Sequence, residues 1–286
     1  MKAMAGLFVL LFSCQIWALD VLLDGDETQG GMMLGKAPLS AKVWVNDALV
    51  LQDPSGRFVF GFGRDEPGSA RIKVVFDDGS TWQRVIEVKP RDYNIQYVNG
   101  IDKAIASKEK PAEVWARIRE EVAQVKAARK QVFHLQHYAG TFDWPLKGPI
   151  TGVFGSQRVY NGEPGRPHYG LDIAAPVGTP VVAPAAGVVT LAHPDMYYSG
   201  GTLIIDHGFG ISSSFLHLSE VLVEVGDTID QGQLIAKVGA GGRSTGPHLD
   251  WRMNWFKKRL DPQLLLPPQA EASANKAASS AAKTHQ

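Results

Sequence analysis

The sequence predicts a mainly β protein with a β-sandwich-like N-terminal domain, a helical connector and an antiparallel β-sheet domain. The first third alternates in short segments between turn signals, the middle carries one helical apolar repeat, and the last part is rich in Gly, Pro and β-branched residues. A chain of 286 residues is comfortable for two domains. The expected segments are a signal peptide at 1–18, the sandwich at 19–98, the connector at 99–139, the second sheet domain at 140–266 and a tail at 267–286.

The charge balance excludes one class of partner. The 29 Lys and Arg residues equal the 29 Asp and Glu residues, so the formal net charge is zero. Proteins that bind nucleic acid need a basic face to displace counterions from phosphates. We therefore expect no nucleic-acid partner. No feature of the sequence predicts the oligomeric state.

The N-terminus predicts an exported protein. Lys2 is followed by the apolar run 6–12 and then by the small residue Ala18, which is the order of a secretory signal peptide. The run is too short to span a bilayer as a permanent helix. We expect cleavage after Ala18, no stable membrane span in the mature chain, and a location in the periplasm or cell envelope.

Cys14 is the single cysteine and lies inside this leader. Residues 11–14 loosely resemble a lipoprotein cleavage box, but Phe12 is bulky where such boxes carry a small or β-branched residue. Lipidation of Cys14 is therefore the less favoured alternative. A mature chain without cysteine has no disulfides, and any metal site in it must use His, Asp or Glu.

The N-terminal domain is expected to be structural. Its predicted strands alternate in side-chain character or are rich in β-branched and aromatic residues, and they lie at 42–46, 57–62, 71–76 and 82–88. Strands at this spacing suggest a small sandwich. The segment holds no catalytic constellation, which favours a structural or docking module.

The connector is predicted to hold one amphipathic helix, from Lys110-Pro111 to about Val132. Pro111 suits a first helical turn, and charges fill the polar face. Apolar residues recur at three- and four-residue steps at Val114, Trp115, Ile118, Val122 and Val125. After Pro267-Pro268 the tail is mostly Ala, Ser, Lys and Gln and is expected to be disordered.

Three histidine-bearing segments of 140–266 carry the chemistry: His168 with Asp172, the lone His217, and His248 with Asp250. Residues 248 and 250 are two apart, so both point to one face of a strand. Zinc accepts neutral imidazole and carboxylate oxygen, and a catalytic site keeps one position open for water. A metal-bound water of lowered pKa can attack an amide.

These segments resemble the lysostaphin-type zinc endopeptidases of bacterial cell walls. That family carries H-x-x-x-D, a later lone His and a final H-x-H, usually written G-P-H-L-H; here the last element is Gly246-Pro247-His248-Leu249-Asp250. The similarity covers nearly all of the second sheet domain, residues 140–266. It continues through 178–184, 187–189, 226–227, 232–233 and 238–239.

The resemblance implies a role for each matched residue. His168, Asp172 and residue 250 take the positions of the zinc ligands. His217 and His248 take those of the catalytic pair, one as general base and the other as proton donor or oxyanion partner. The implied substrate is the stem peptide of peptidoglycan at its cross-links; in a Gram-negative host the bond is D-alanyl to diaminopimelate.

The sequence departs from the family at Asp250, where the family has His. A carboxylate binds zinc at nearly the same distance as imidazole, and Asp250 keeps the strand parity of a ligand. The additional negative charge makes Mn²⁺ an alternative to Zn²⁺. Because the other four positions are intact, we expect a functional variant site.

Three alternative functions have weaker support in the sequence. A catalytically degenerate peptidoglycan-binding or amidase-activating module is supported only by Asp250. A biotinyl- or lipoyl-type carrier domain needs an exposed lysine between its half-motifs, and no lysine lies between Lys147 and Lys237. A serine hydrolase is not expected, on the ground that no G-x-S-x-G motif is present.

Overall fold

The structure is a computed structural model that describes residues 21–100 and 110–269. The chain is mainly β, as predicted from the sequence, with one α-helix among the described residues. The predicted signal peptide, residues 101–109 of the predicted connector and residues 270–286 of the predicted tail lie outside the described residues. No helix in the described ranges is long and apolar enough to cross a bilayer.

The N-terminal part forms two facing antiparallel sheets with strand orders β1-β2-β5 and β4-β3-β6-β7. Their strands and the following strand are β1 (Leu22–Gly25), β2 (Met32–Lys36), β3 (Lys42–Val45), β4 (Ala48–Val50), β5 (Arg57–Gly61), β6 (Ser69–Val75), β7 (Thr81–Glu87) and β8 (Ile95–Val98). The four strands predicted from alternation correspond to β3, β5, β6 and β7. The strands β1, β2, β4 and β8 were not predicted.

Alternate side chains of the two sheets meet in one core. Phe58 and Phe60 of β5 are fully buried against Ile72, Val74 and other inward side chains of the second sheet. Burying each such side chain stabilises the fold by roughly 1.5–3 kcal/mol. The predicted sandwich is therefore confirmed.

The predicted helix is confirmed as α1 (Ala112–Ala128), which begins directly after Pro111. It ends at Ala128, four residues before the predicted end. The chain beyond it is pinned to the large sheet, because the Phe209 N–H donates to the Phe133 carbonyl at 3.0 Å. That tertiary contact outweighs the local helical pattern near residue 132.

The apolar stripe of α1 packs only in part. Ala128 and Val125 contact a small cluster of buried side chains on the neighbouring strands, which includes Leu191. Val122, predicted to lie in the stripe, is 56% exposed. The packed face is therefore narrower than the sequence predicts.

Glu121 belongs to the buried side of α1, although the charged residues of this helix were predicted to fill its polar face. Its carboxylate accepts hydrogen bonds from Arg117 at 2.7 Å and from the Tyr197 backbone N–H at 2.9 and 3.0 Å. These partners offset the cost of burying the carboxylate. The contact fastens α1 to the hairpin that follows Met196.

Most of the remaining strands build one large sheet of order β17-β14-β15-β16-β19-β12-β9, with β18 linking β16 to β13 and with β20 on β19. The strands β10 and β11 instead join β8 in a separate three-stranded sheet of order β11-β10-β8. Short 3₁₀ turns lie at His137–Ala139 and Pro262–Leu265. The strands are β9 (Ile150–Gly152), β10 (Gln157–Tyr160), β11 (Glu163–Pro164), β12 (Leu171–Ala174), β13 (Pro180–Val182), β14 (Gly187–Met196), β15 (Gly200–Gly208), β16 (Ile211–Val221), β17 (Thr228–Ile229), β18 (Leu234–Val238), β19 (His248–Trp255) and β20 (Lys258–Leu260).

The N-terminal sandwich packs directly on this sheet. Met32 and Val59 share a core with the second part of the chain, including Leu260. Lys258 Nζ lies 2.6 Å from Glu66 Oε1 across the junction. β8 also pairs with β10, in parallel, which is an exception to the antiparallel pattern.

Candidate metal centre and active site

The pairing of β12 with β19 positions two carboxylates side by side. Asp172 lies directly opposite Asp250 in the register, and Ala174 lies opposite His248. Side chains of directly paired residues share one face of a sheet, so both carboxylates project to the same side. His168 precedes β12, where its N–H donates to the Ser156 carbonyl at 2.8 Å.

The structure brings His168, Asp172 and Asp250 together, with one potential ligand atom from each within 4.8 Å of the others. His168 Nε2 lies 3.2 Å from Asp172 Oδ1. Both atoms are buried, and neither has a hydrogen-bond partner within the described residues. Buried polar atoms normally have partners, and a divalent cation between them satisfies both. The nitrogen and oxygen donors therefore fit a metal ion.

Neighbouring carboxylates also act on the imidazole of His168. Burial alone lowers the pKa of His168, but the adjacent Asp172 and the charge of Asp250 outweigh it and raise the pKa above its ordinary value. The pocket thus attracts positive charge at this nitrogen. A bound cation takes the place of that proton.

Asp250 is 2% exposed and is held by Arg252. Arg252 Nε donates to Asp250 Oδ1 at 2.9 Å and to Oδ2 at 3.1 Å, and Nη2 donates to Oδ2 at 2.5 Å. Burial raises the pKa of Asp250, but the charge and hydrogen bonds of Arg252 outweigh burial and hold the pKa below its ordinary value. Among the described residues, Oδ1 accepts from Nε alone and keeps a further lone pair for a metal.

Two glycines leave room for the carboxylates. A Cβ added to Gly170 collides with Asp250 Oδ1, and one added to Gly152 collides with Asp172 Oδ2. Gly152 is also the strand partner of Asp172 on β9. Both positions therefore require the absence of a side chain.

His217 reaches the site through a backbone irregularity. The register of β15 with β16 shifts between the pairs Gly201–Leu218 and Leu203–Phe215, and His217 within this bulge has a φ of 63°. Bulges re-aim side chains, and a positive φ at a non-glycine residue is a strained conformation found at functional sites. The His217 N–H is held by the Ser199 carbonyl at 2.7 Å.

The rings of His217 and His248 present the same nitrogen to the site. His217 Nδ1 lies 2.8 Å from the Gly241 carbonyl, and His248 Nδ1 lies 2.8 Å from the Gly246 carbonyl. Because a carbonyl only accepts, each Nδ1 carries the hydrogen, and in the neutral ring Nε2 is the acceptor.

The two rings lie close to each other and to the carboxylates. Their centroids are 4.8 Å apart, and His248 Nε2 is 3.8 Å from Asp172 Oδ1. Burial lowers the pKa of His217 below its ordinary value, which favours the neutral ring. The arrangement offers two imidazole nitrogens beside a metal-binding cluster.

The expectation that no G-x-S-x-G motif is present is wrong, because Gly242-Arg243-Ser244-Thr245-Gly246 has that spacing. The segment is a loop between β18 and β19 with no helix after it, unlike a nucleophile elbow. The Ser244 hydroxyl donates to the Gly246 carbonyl at 2.6 Å. The nearby Nδ1 of His248 carries a hydrogen and cannot take the serine proton.

All five residues singled out in the sequence lie in this one site. The residues that were not assigned are Arg252, Gly152 and Gly170. Arg252 could have been found from strand parity, because residues 250 and 252 face the same way on β19. The role of Gly152 depends on a strand pairing that sequence spacing does not show.

A buried histidine–carboxylate cluster beside two further imidazoles is the type of site that metal-dependent hydrolases use. Residues 166–262 match Peptidase family M23. The match covers about a third of the chain and lies within the second sheet domain, which is therefore similar to the peptidase domains of this family.

Relatives with names and a solved structure agree with this assignment. Peptidoglycan DD-endopeptidase ShyA of Vibrio cholerae is 43% identical over 89 residues, which cover 30% of this chain and 20% of ShyA. Peptidoglycan DD-endopeptidase ShyC of the same organism is 36% identical over 155 residues, or 54% of this chain and 33% of ShyC. The chain therefore spans a fifth to a third of these relatives.

The similarity to one crystal structure extends beyond the family domain. A putative peptidase M23 from Pseudomonas aeruginosa matches with a TM-score of 0.64 at 29% identity, over 84% of this chain and 95% of that chain. The match includes much of the N-terminal sandwich, since the family domain alone is far shorter than the region covered.

Proposed function

We propose that this protein is a zinc-dependent endopeptidase that hydrolyses peptide cross-links of peptidoglycan. The observation that carries the proposal is the convergence of His168, Asp172 and Asp250 next to two imidazoles whose Nε2 atoms are free to accept. The names of the relatives supply the substrate class, because ShyA and ShyC are peptidoglycan DD-endopeptidases.

The chain's own residues hold the ion and move protons. His168, Asp172 and Asp250 are the proposed ligands. A divalent cation bound there lowers the pKa of a water molecule and polarises the scissile carbonyl. His217 and His248 flank that position, so that one Nε2 accepts a proton from the nucleophile and the other ring stabilises or protonates the substrate.

The charge of the site favours zinc over a harder ion. Two carboxylates and a neutral imidazole give a ligand set of formal charge −2, and Arg252, bonded to Asp250, brings the group to −1. That is the charge of a His-Asp-His set. The variant ligand therefore does not by itself demand manganese, and Zn²⁺ is the proposed ion.

The protein is further proposed to be exported, with a separate role for each segment of the chain. The predicted signal peptide at 1–18 sends the protein to the periplasm or cell envelope, where peptidoglycan lies. Residues 19–98 serve as accessory domain, 99–139 as connector and 140–266 as catalytic domain. No nucleic-acid partner is proposed, because the formal net charge is zero.

Metal content and wall digestion test the proposal together. Wild type, Asp172→Asn and Asp250→Ala are purified, their zinc is measured by mass spectrometry, and isolated sacculi are digested and separated as muropeptides. Asp172→Asn separates a loss of metal binding from a loss of stability better than Asp250→Ala does. The reason is that Asp172 Oδ1 has no hydrogen bond in the described structure to lose. Asp47→Ala, an exposed acid with a surface partner, is the control.

Wild type and Asp47→Ala are expected to hold about one zinc per chain and to convert cross-linked dimers to monomers. Asp172→Asn should lose both properties while its melting temperature stays close to that of wild type. A wild-type protein that binds no metal and cuts no cross-link would overturn the proposal. The degenerate, wall-binding alternative would then take its place, with Asp250 as its structural basis.

A further inference from the structure

The face of β19 that carries the metal site continues into a cluster of arginines. Along this strand Leu249, Trp251 and Met253 enter the apolar core, so Asp250, Arg252 and Asn254 share the opposite face. Their strand partners extend it: Ser214 of β16 lies opposite Arg252, and Arg259 of β20 lies opposite Asn254. Arg129, the residue after α1, reaches the same face.

Only one of the three arginines has an acidic partner. Arg252 is paired with Asp250. Arg129 Nη2 donates to the neutral Ser214 hydroxyl at 2.9 Å, and Arg259 Nη1 donates to the neutral Asn254 Oδ1 at 2.9 Å. Within the described ranges, neither Arg129 nor Arg259 has a carboxylate within ion-pair distance.

Both unpaired guanidiniums are partly buried. Burial and repulsion from neighbouring arginines lower the pKa of Arg129 to about 9 and that of Arg259 to about 10. At neutral pH both groups still carry their charge. A buried cation without an anion is costly, so an anionic ligand at this place is favoured.

A cleft gives such a ligand access to Arg259. A cavity of about 300 Å³ lies between the 63–67 loop of the sandwich and Tyr169, Lys257 and Arg259 of the large sheet. Tyr169 directly follows the proposed ligand His168 in the chain, and Arg259 is paired with Asn254 on the strand that carries Asp250.

The two acids that line the cleft are already paired. Asp65 bonds to Arg64 at 2.6 Å and Glu66 bonds to Lys258 at 2.6 Å. Neither neutralises Arg259. The free N–H groups of its guanidinium fork suit a carboxylate.

We propose that this cleft is a carboxylate-binding subsite in which Arg259 holds a free carboxylate of the peptide substrate next to the metal centre. The inference rests on the proposed peptidase function and adds a specificity determinant to it. Peptidoglycan stem peptides carry free carboxylates beside their cross-links, so the occupant is part of the substrate. Arg129 contributes positive charge from the same face of the sheet, where it is bonded to Ser214.

A pair of matched substrates tests the subsite. Wild type, Arg259→Gln and Arg259→Lys are assayed on a purified cross-linked muropeptide dimer and on the same dimer with its free carboxylates converted to amides. Arg71→Gln, an exposed arginine of the sandwich, is the control.

Arg259→Gln is expected to raise KM about tenfold on the acid dimer, with kcat changed less than twofold, and to leave KM on the amidated dimer unchanged. Arg259→Lys keeps the charge and should retain most of the preference for the acid. An equal change of KM on both dimers, or no change on either, would overturn the subsite.

Binding of an uncross-linked product separates this inference from the proposed function. Calorimetry with the disaccharide tetrapeptide monomer and its amidated form measures the subsite without any cleavage. Wild-type protein that binds the acid form at least fivefold more tightly than Arg259→Gln, yet cuts no dimer, supports the subsite and contradicts the peptidase. Wild-type protein that cuts the dimer but shows no acid preference contradicts the subsite alone.

Discussion

Arg252 donates hydrogen bonds of 2.5–3.1 Å to both carboxylate oxygens of Asp250, which lies two residues earlier on the same strand. Asp250 stands where lysostaphin-type peptidases have histidine, and it is almost completely buried. An unpaired carboxylate in such a place has a high desolvation cost. The arginine therefore offsets the desolvation cost of the carboxylate and fixes its orientation towards His168 and Asp172.

Replacing Arg252 by methionine should weaken metal binding and stability together. Removing one partner of a buried ion pair costs about 3–5 kcal/mol. We expect a lower melting temperature and at least a tenfold weaker zinc affinity, measured by competition with a chromogenic chelator. Arg252→Lys keeps the charge but loses the bidentate geometry, so its zinc affinity and melting temperature should lie between those of wild type and Arg252→Met. An Arg252→Met protein with wild-type zinc affinity and stability would contradict this role.

Restoring the family's histidine at position 250 should be harmful on its own. Asp250→His leaves Arg252 as a buried cation without its anion, so we expect a clear loss of stability. The double variant Asp250→His with Arg252→Gln removes the unpaired buried cation and should recover much of the lost stability. Urea unfolding of wild type, Asp250→His, Arg252→Gln and the double variant gives the coupling energy between positions 250 and 252. Additive effects would show that Arg252 does not depend on Asp250.

Gly170→Ala should displace Asp250 and reduce zinc content. The new Cβ meets Asp250 Oδ1 and also crowds the Trp251 carbonyl, which belongs to the strand and cannot easily move. Gly68→Ala is the matched control, since its Cβ has no neighbour within 4 Å. We expect Gly170→Ala to lose most of its zinc while the control keeps it. Equal zinc in both variants would rule out a steric role for Gly170.

Tyr138 should be important for stability although it lies just outside the predicted catalytic domain. Its side chain is fully buried against Phe209, and its hydroxyl donates to the buried Asp53 of the sandwich at 3.1 Å. Tyr138→Ala is expected to cost about 3–5 kcal/mol, and Tyr138→Phe about 1 kcal/mol. Thermal and urea unfolding of the full chain measure both. Similar losses for the two variants would contradict a dominant packing role.

The sequence predicts most of the sandwich because β3, β5, β6 and β7 alternate or are strongly β-forming. It also singles out the five residues that the structure brings together, since the family pattern names them and strand parity orients Asp250. It does not predict the bulge that aims His217, because the register shift depends on pairing with β15. Nor does it predict that Glu121 is buried, because its partner Tyr197 is distant in sequence.

Asp206 should make the fold less stable as the pH rises towards neutral. Burial raises the pKa of this carboxyl to about 7, although hydrogen bonds from the Gly208 and Phe133 backbone N–H groups lower it. In the unfolded chain an aspartate has a pKa of about 3.9. The folded state therefore holds the proton more tightly, so the stabilising effect is complete below about pH 4 and is lost as the pH rises to about 7.

Asp206→Asn, which is neutral at every pH, isolates this contribution. Wild type should lose about 3 kcal/mol of unfolding free energy relative to Asp206→Asn between pH 5 and pH 8. Urea unfolding of both proteins across this range gives the difference, and every other titrating group is common to the two chains. The buried neighbour His207, whose pKa burial lowers to about 4, stays neutral throughout and does not oppose the trend. A difference that stays constant from pH 5 to pH 8 would mean that Asp206 is ionised in the fold across that range.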